Sequence, residues 1–193
     1  MKRVCVFCGA NAGASPIYVE TARAVGAHLA LAGIAVIYGG GGLGLMGAVA
    51  RGALDAGGEA IGIIPESLLR FEPPPGFLTE LRVVGSMHER KAVMVELADA
   101  FVALPGGLGT LDELSEVLTW AQLGLHSKPC GLLNLEGYFD LLMEWLDHAT
   151  TQRFIRAEHR AMVLVDGDLG SLIRRLANYV PPSVSPLVDS SRV

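Results

Sequence analysis

Seven short apolar runs do most to limit what this chain can become: residues 4–8, 34–38, 60–64, 81–84, 100–104, 129–133 and 162–165. Each is short enough for a strand, and 100–104 (AFVAL) is typical of a strand buried on both faces. Segments with helical spacing stand between them. Strands and helices that alternate in this way close into a parallel sheet with helices on both faces. The expected fold class is therefore α/β, a single-domain Rossmann-like doubly wound parallel sheet over residues 1–180. The last stretch, 181–193 (PPSVSPLVDSSRV), is rich in proline and serine without periodicity and is expected to be a flexible tail. No internal repeat and no second domain is apparent.

Several of the runs stop at glycine. The first ends at Gly9 and enters a glycine-rich loop, 9–15, ahead of a helix that starts near Pro16 and stops at Gly33. The second leads into four consecutive glycines, 39–42. Gly42, Gly44 and Gly47 fit the G-x-G-x-x-G dinucleotide fingerprint, with Glu59 and Glu66 near the distance of its ribose partner. That match follows the second strand rather than the first, and four glycines in a row exceed what it needs. The run reads better as a backbone cradle for a mononucleotide, with Gly40 and Gly41 as donors beside Gly9, than as an NAD site. After the third strand, residues 65–75 combine prolines, apolar residues and Glu72. Such a loop at a strand's carboxyl edge is either a lid or base-binding wall, or an ordinary surface excursion.

The stretch 86–124 reads as helix, buried strand, glycine turn and second helix. Ser86-Met87-His88-Glu89 has the S-x-x-E form in which serine and glutamate satisfy each other's free amides, so a helix opens at Ser86. Met87, Met94, Leu97 and Ala98 recur as a buried stripe, and Arg90 falls on it. An arginine there either pairs inside a polar pocket or sits at the stripe's edge and reaches outward. The strand 100–104 then runs straight into Pro105-Gly106-Gly107-Leu108-Gly109-Thr110. Three glycines in four positions let the backbone turn tightly and present bare N–H groups. A helix N-terminus at the carboxyl end of a strand suits an anion such as phosphate. Thr110 is expected to open the helix, and spacing alone favours Glu113 as a capping-box glutamate bonded back to the Thr110 amide. Glu116 lies one turn along on the same face.

MHERK followed by PGGLGTLDE resembles the paired R-K and PGGxGTxxE motifs of the LONELY GUY (LOG) family. That family includes the cytokinin riboside 5'-monophosphate phosphoribohydrolases and carries an older description as possible lysine decarboxylases. The similarity covers nearly the whole chain, from FCGANAG at Phe7 through YGGGGLGLMG at Tyr38 to GLLNLEGYFDLL at Gly131. One departure is Ala10, where the family often has serine; a hydroxyl contact is removed while the backbone donors stay. The resemblance implies hydrolysis of the N-glycosidic bond of an N6-modified adenosine 5'-monophosphate, releasing free base and ribose 5-phosphate. By the family's motif, Arg90 and Glu113 are catalytic, and Gly106, Gly107, Gly109 and Thr110 hold the phosphate without metal or cofactor. Lys91, Glu116 and Thr119 surround ribose and base, with Glu72 contributed by the edge loop. The resemblance also implies a homodimer with its site near the subunit contact. Leu114, Val117, Leu118, Trp120, Ala121 and Leu125 supply material for it, leaving the second helix apolar over a wider arc than one core face requires. Two other functions stay open: a nucleosidase for ordinary AMP or pyrimidine nucleotides, and a carrier that binds a phosphorylated cofactor, such as molybdenum cofactor, without turning it over.

Other chemistries lack their residues. The net charge of −5 and the lack of a basic run give no support for nucleic-acid or membrane-surface binding. No run approaches the length of a membrane span. The chain enters a strand at once, which leaves no room for a signal peptide, and three cysteines suit a reducing cytoplasm. Cys5 and Cys8 are spaced as C-x-x-C, but an offset of three in a strand sends the thiols to opposite faces. His88 and Glu89 lack the second histidine of a zincin, neither glycine run continues into Lys-Ser/Thr, and no G-x-S-x-G elbow occurs. Lys2, Lys91 and Lys128 are the only lysines, a poor provision for a pyridoxal phosphate Schiff base.

Overall fold

The computed structural model describes residues 1–182. The seven expected strands form: β1 (Arg3–Phe7), β2 (Ala35–Tyr38), β3 (Ala60–Pro65), β4 (Glu80–Val84), β5 (Ala100–Ala103), β6 (Cys130–Leu133) and β7 (Val163–Asp166). They make one parallel sheet in the order β4-β3-β2-β1-β5-β6-β7. The helices are α1 (Pro16–Leu31), α2 (Gly44–Asp55), α3 (Met87–Leu97), α4 (Leu108–Leu123), α5 (Asp140–Thr151), α6 (Ala157–Arg160) and α7 (Leu169–Ala177). Among the described residues no helix is long and apolar enough to cross a membrane.

Two hydrophobic cores cover the two faces of the sheet. One packs Val4, Val6, Val36 and Val102 under α1, α2 and α7; the other packs Cys5, Ile37, Ile63 and Phe101 under α3, α4 and α5. Alternate residues of each strand feed opposite layers, so a doubly covered strand reads as a continuous apolar run. Cys5 and Cys8 fall in different cores, as their spacing requires. Burial pushes both thiols well above their usual range, so neither is a ready nucleophile.

Local chemistry sets most of the boundaries. The Ser15 hydroxyl accepts from the Ile17 amide ahead of Pro16, and α1 ends before Gly33 at φ +69°. Gly124, at φ +82°, closes α4 in the left-handed conformation that glycine adopts without penalty. At α3 the Ser86 hydroxyl accepts from the Glu89 amide at 3.1 Å, but the returning half of the box is displaced. The Glu89 carboxylate accepts from Gly85 N at 2.7 Å rather than from Ser86. Beyond β6 the helices differ from the sequence reading. The helix expected from Tyr138 begins only at Asp140, after a tight turn, and the short α6 follows it. The expected tail lies, apart from Pro181 and Pro182, outside the described residues.

The tightest helix contact is α1 on α2. A Cβ added at Gly26 would stand 2.0 Å from the Val49 carbonyl oxygen, and one at Gly52 would stand 2.0 Å from that of Arg23. Gly52→Ala is therefore expected to destabilise the protein by about 1–3 kcal/mol through overpacking. The check is a lower urea midpoint with an unchanged slope; an unchanged midpoint would show that the helices separate at no cost.

Candidate active site

The middle of the sheet creates the site. From β1 the chain leaves to α1 on one face, and from the adjacent β5 it leaves to α4 on the other, so the two loops part and open a crevice at the carboxyl ends. Gly9 N donates to Pro105 O at 3.1 Å and Leu45 N donates to Gly9 O at 3.0 Å, tying the loops after β1, β2 and β5 together. The resulting cavity has a volume of about 500 Å³, within the range of small-molecule sites.

One wall is the N-terminus of α4. The helix begins at Leu108 with Gly107 as its cap, and no side chain satisfies the first amides. These free N–H groups, with the positive end of the helix dipole, form a seat for an anion. The helix thus starts two residues before Thr110, which removes the capping-box role expected of Glu113. Thr110 is buried inside the first turn, and Glu113 points inward.

There Glu113 meets Arg90. The Arg90 Nη2 and Glu113 Oε1 atoms lie 3.3 Å apart, with both residues more than nine-tenths buried. Arg90 therefore does not reach outward along the edge of its helix. Its Nε has no hydrogen-bond partner among the described residues. Gly39 makes room for it, because a Cβ on that residue would stand 1.9 Å from Arg90 Nη2. Burial is the largest influence on Glu113 and pushes its carboxyl up to about 7. The Arg90 and Lys91 charges pull it down, and those of Asp112 and Glu72 push it further up. A carboxyl poised there exchanges protons at neutral pH.

Of the residues singled out in the sequence, Gly9, Glu72, Arg90, Gly106, Gly107, Gly109, Thr110 and Glu113 line this one cavity. The Glu72 loop is held by Gly42 N donating to Pro73 O at 3.0 Å, and Glu72 Oε2 is buried without a partner among the described residues. Lys91, Glu116 and Thr119 are not on the lining. Lys91 Nζ lies 3.0 Å from Asp112 Oδ2 and 3.2 Å from Glu116 Oε2, forming a cluster beside the Arg90–Glu113 pair. The Thr119 hydroxyl donates back to Ser115 O within its own helix. Gly40 and Gly41 also stand behind the lining, against Ile63, Ile64 and Met46, where they serve close packing. The sequence reading missed Tyr18, Leu45, Met46, Leu68, Met87 and Tyr138 on the lining. Met87 was assigned to the core stripe, and aromatic or aliphatic residues scattered over distant elements carry no local signal.

Fold and site define a Rossmann-like protein whose central crevice holds an open helix N-terminus beside a buried carboxylate–guanidinium pair. A family model described as "Possible lysine decarboxylase" matches residues 46–176. The chain is 48% identical over 180 residues, covering 93% of itself and 79% of the relative, to a probable cytokinin riboside 5'-monophosphate phosphoribohydrolase of Oryza sativa subsp. japonica. It is 44% identical over 180 residues, covering 93% of itself and 84% of the relative, to a cytokinin riboside 5'-monophosphate phosphoribohydrolase of Arabidopsis thaliana. Among solved structures it is similar to the molybdenum cofactor binding protein of Rippkaea orientalis, with a TM-score of 0.70 and 25% identity over 92% of this chain and 97% of that one. The chain belongs to the LONELY GUY (LOG) family, to which the "Possible lysine decarboxylase" model corresponds.

The site geometry fixes a sign that can be measured. Arg90 holds the Glu113 carboxyl below where burial alone would place it, so Arg90→Gln is expected to move that carboxyl upward from about 7. Gly39→Ala, by displacing the guanidinium, is expected to move it the same way. A carbon-13 titration of the glutamate carboxyls checks both; a downward shift in either variant contradicts the pairing.

Proposed function

We propose that this protein hydrolyses the N-glycosidic bond of an N6-modified adenosine 5'-monophosphate, releasing the free cytokinin base and ribose 5-phosphate. The observation that carries this reading is the buried Arg90–Glu113 pair one helical turn inside an open helix N-terminus. With the phosphate on the α4 amides and Thr110, a ribose extends from it toward Glu113. The apolar wall of Leu45, Met46, Leu68 and Met87 suits an adenine ring and an apolar N6 substituent.

In the reaction the bond from C1' to the base nitrogen breaks with its electron pair going to the base. The ribose passes through an oxocarbenium-like state, as in glycoside hydrolysis. The Glu113 carboxylate stabilises that charge and takes a proton from the water whose oxygen bonds to C1'. The base nitrogen takes up one proton in turn, so the sum is one water consumed. Arg90 keeps Glu113 ionised and aimed, and its unpartnered Nε is free to hold a substrate oxygen. Lys91, Glu116 and Thr119 belong to the ribose and base surroundings in this reading, with Glu72 facing the cavity from its loop.

The organisation expected from the sequence completes the proposal. One domain acts as a homodimer in the cytoplasm, consistent with three buried, free cysteines. Between α4 and α5 an apolar groove of about 480 Å³ exposes Leu111, Leu141 and Trp145, a surface suited to burial against a second copy. Size-exclusion chromatography with light scattering is expected to give twice the monomer mass at micromolar concentration; a monomer overturns this part.

Chromatography of free base from N6-isopentenyl-AMP and AMP tests the activity. Release of isopentenyladenine far faster than adenine is expected, with Glu113→Gln lowering kcat by about 10²–10⁴-fold. Equal release identifies a general nucleotide nucleosidase, and tight binding without release identifies a carrier. Because the working form of Glu113 is the carboxylate, kcat/KM is expected to rise as pH passes through about 7. A profile flat between pH 6 and 8 (values chosen about one unit either side) would remove Glu113 from the proton transfer.

A further inference from the structure

The turn between β6 and α5 is built at more cost than joining the two elements requires. Glu136 and Gly137 adopt consecutive positive φ angles of 51° and 71°, and a non-glycine residue in that region is uncommon. Asn134 holds the turn from inside, its Oδ1 accepting from Phe139 N at 2.8 Å and its Nδ2 donating to Asp140 Oδ1 at 2.7 Å. The result is to deliver Tyr138 to the cavity rim. Its ring stands edge-on to those of Tyr18 and Phe139, with centroids 6.0 and 5.2 Å away, and its hydroxyl donates to Gly106 O at 2.5 Å.

That bond acts on a particular peptide unit. The Gly106–Gly107 peptide is trans, so its C=O and N–H point in opposite directions, and fixing the carbonyl fixes the Gly107 N–H. With glycine on both sides, rotation of this unit meets little steric resistance. Rotated, it would place a carbonyl oxygen where the cap of α4 now offers a donor, and so repel an anion. We propose that Tyr138 is a positioning residue for the substrate phosphate, its hydroxyl locking the Gly106–Gly107 peptide as a donor and so favouring 5'-phosphorylated over dephosphorylated ligands. The inference rests on the phosphate seat described under Proposed function.

Tyr138→Phe keeps the ring and removes only the hydroxyl. Calorimetry with ribose 5-phosphate, ribose and adenosine reads binding without turnover, beside KM and kcat for AMP and N6-isopentenyl-AMP. The variant is expected to bind ribose 5-phosphate about tenfold more weakly, the scale of one hydrogen bond, and to raise KM similarly. The expected kcat stays within about twofold, and adenosine binding is unchanged. Asn134→Ala, which leaves Tyr138 in place but loosens its turn, is expected to show the same split at smaller amplitude. Wild-type protein that prefers ribose 5-phosphate to ribose, with the preference undiminished in Tyr138→Phe, overturns the inference alone. So does equal weakening toward adenosine and ribose 5-phosphate, which marks a merely structural tyrosine. Wild-type protein with no preference for the phosphorylated sugar overturns the phosphate seat and the inference together.

Discussion

The buried ion pair of Arg90 with Glu113 is the interaction on which the site depends, and it is an expensive one. Each charge loses most of its hydration, and a single contact at 3.3 Å returns only part of that loss. The imbalance is visible in Glu113, whose carboxyl stays near 7 despite the neighbouring guanidinium. A pair better compensated on both sides would hold the carboxylate fully ionised and leave it a poor proton acceptor. The fold maintains the imbalance by crowding. Gly39 leaves a space that the guanidinium enters, α3 is capped so that Arg90 falls in its first turns, and α4 turns Glu113 to the same point.

The parallel sheet explains why these pieces meet. All strands point the same way, so the glycine loops that end β1, β2 and β5 emerge at one edge. At the centre of the sheet, between β1 and β5, the following helices go to opposite faces and leave a gap. Polar groups of the gap come largely from the backbone, through the amides at the start of α4 and the joined loops at Gly9 and Pro105. Apolar groups come from side chains of distant segments. The division suits a ligand with an anionic end and an apolar end, and it leaves Arg90 and Glu113, with Glu72 on its loop, to act on whatever lies between them.

Particular residues show how far the sequence was legible. The inner strands were readable because a strand covered on both faces has no polar alternation, and the exposed edge strand β4 was readable only as a short run; each observed strand lies within one residue of its expected bounds. Arg90 announced itself as a charge on an apolar stripe, although periodicity could not say whether it turned inward. Glu113 was harder. Its spacing from Thr110 fits a capping box, and only the start of α4 at Leu108, earlier than that box requires, freed it for Arg90. The glycines at 39–42 were conspicuous, yet the chain does not record that the space at Gly39 belongs to a side chain far along the sequence. Tyr138 stood within GLLNLEGYFDLL with nothing to mark it for the site, because its hydroxyl meets Gly106 O only across two loops.

The sequence by itself determined the class of fold, the order of its strands and helices along the chain, and the glycine turns that end the central strands. Those follow from hydrophobic periodicity and backbone freedom, which act over a few residues. Tertiary structure alone decided which charges meet, which glycines make space rather than contacts, and which tyrosine reaches the α4 cap. Those depend on distances between segments far apart in the chain, and burial gives the meeting of Arg90 and Glu113 an energy that no local pattern encodes.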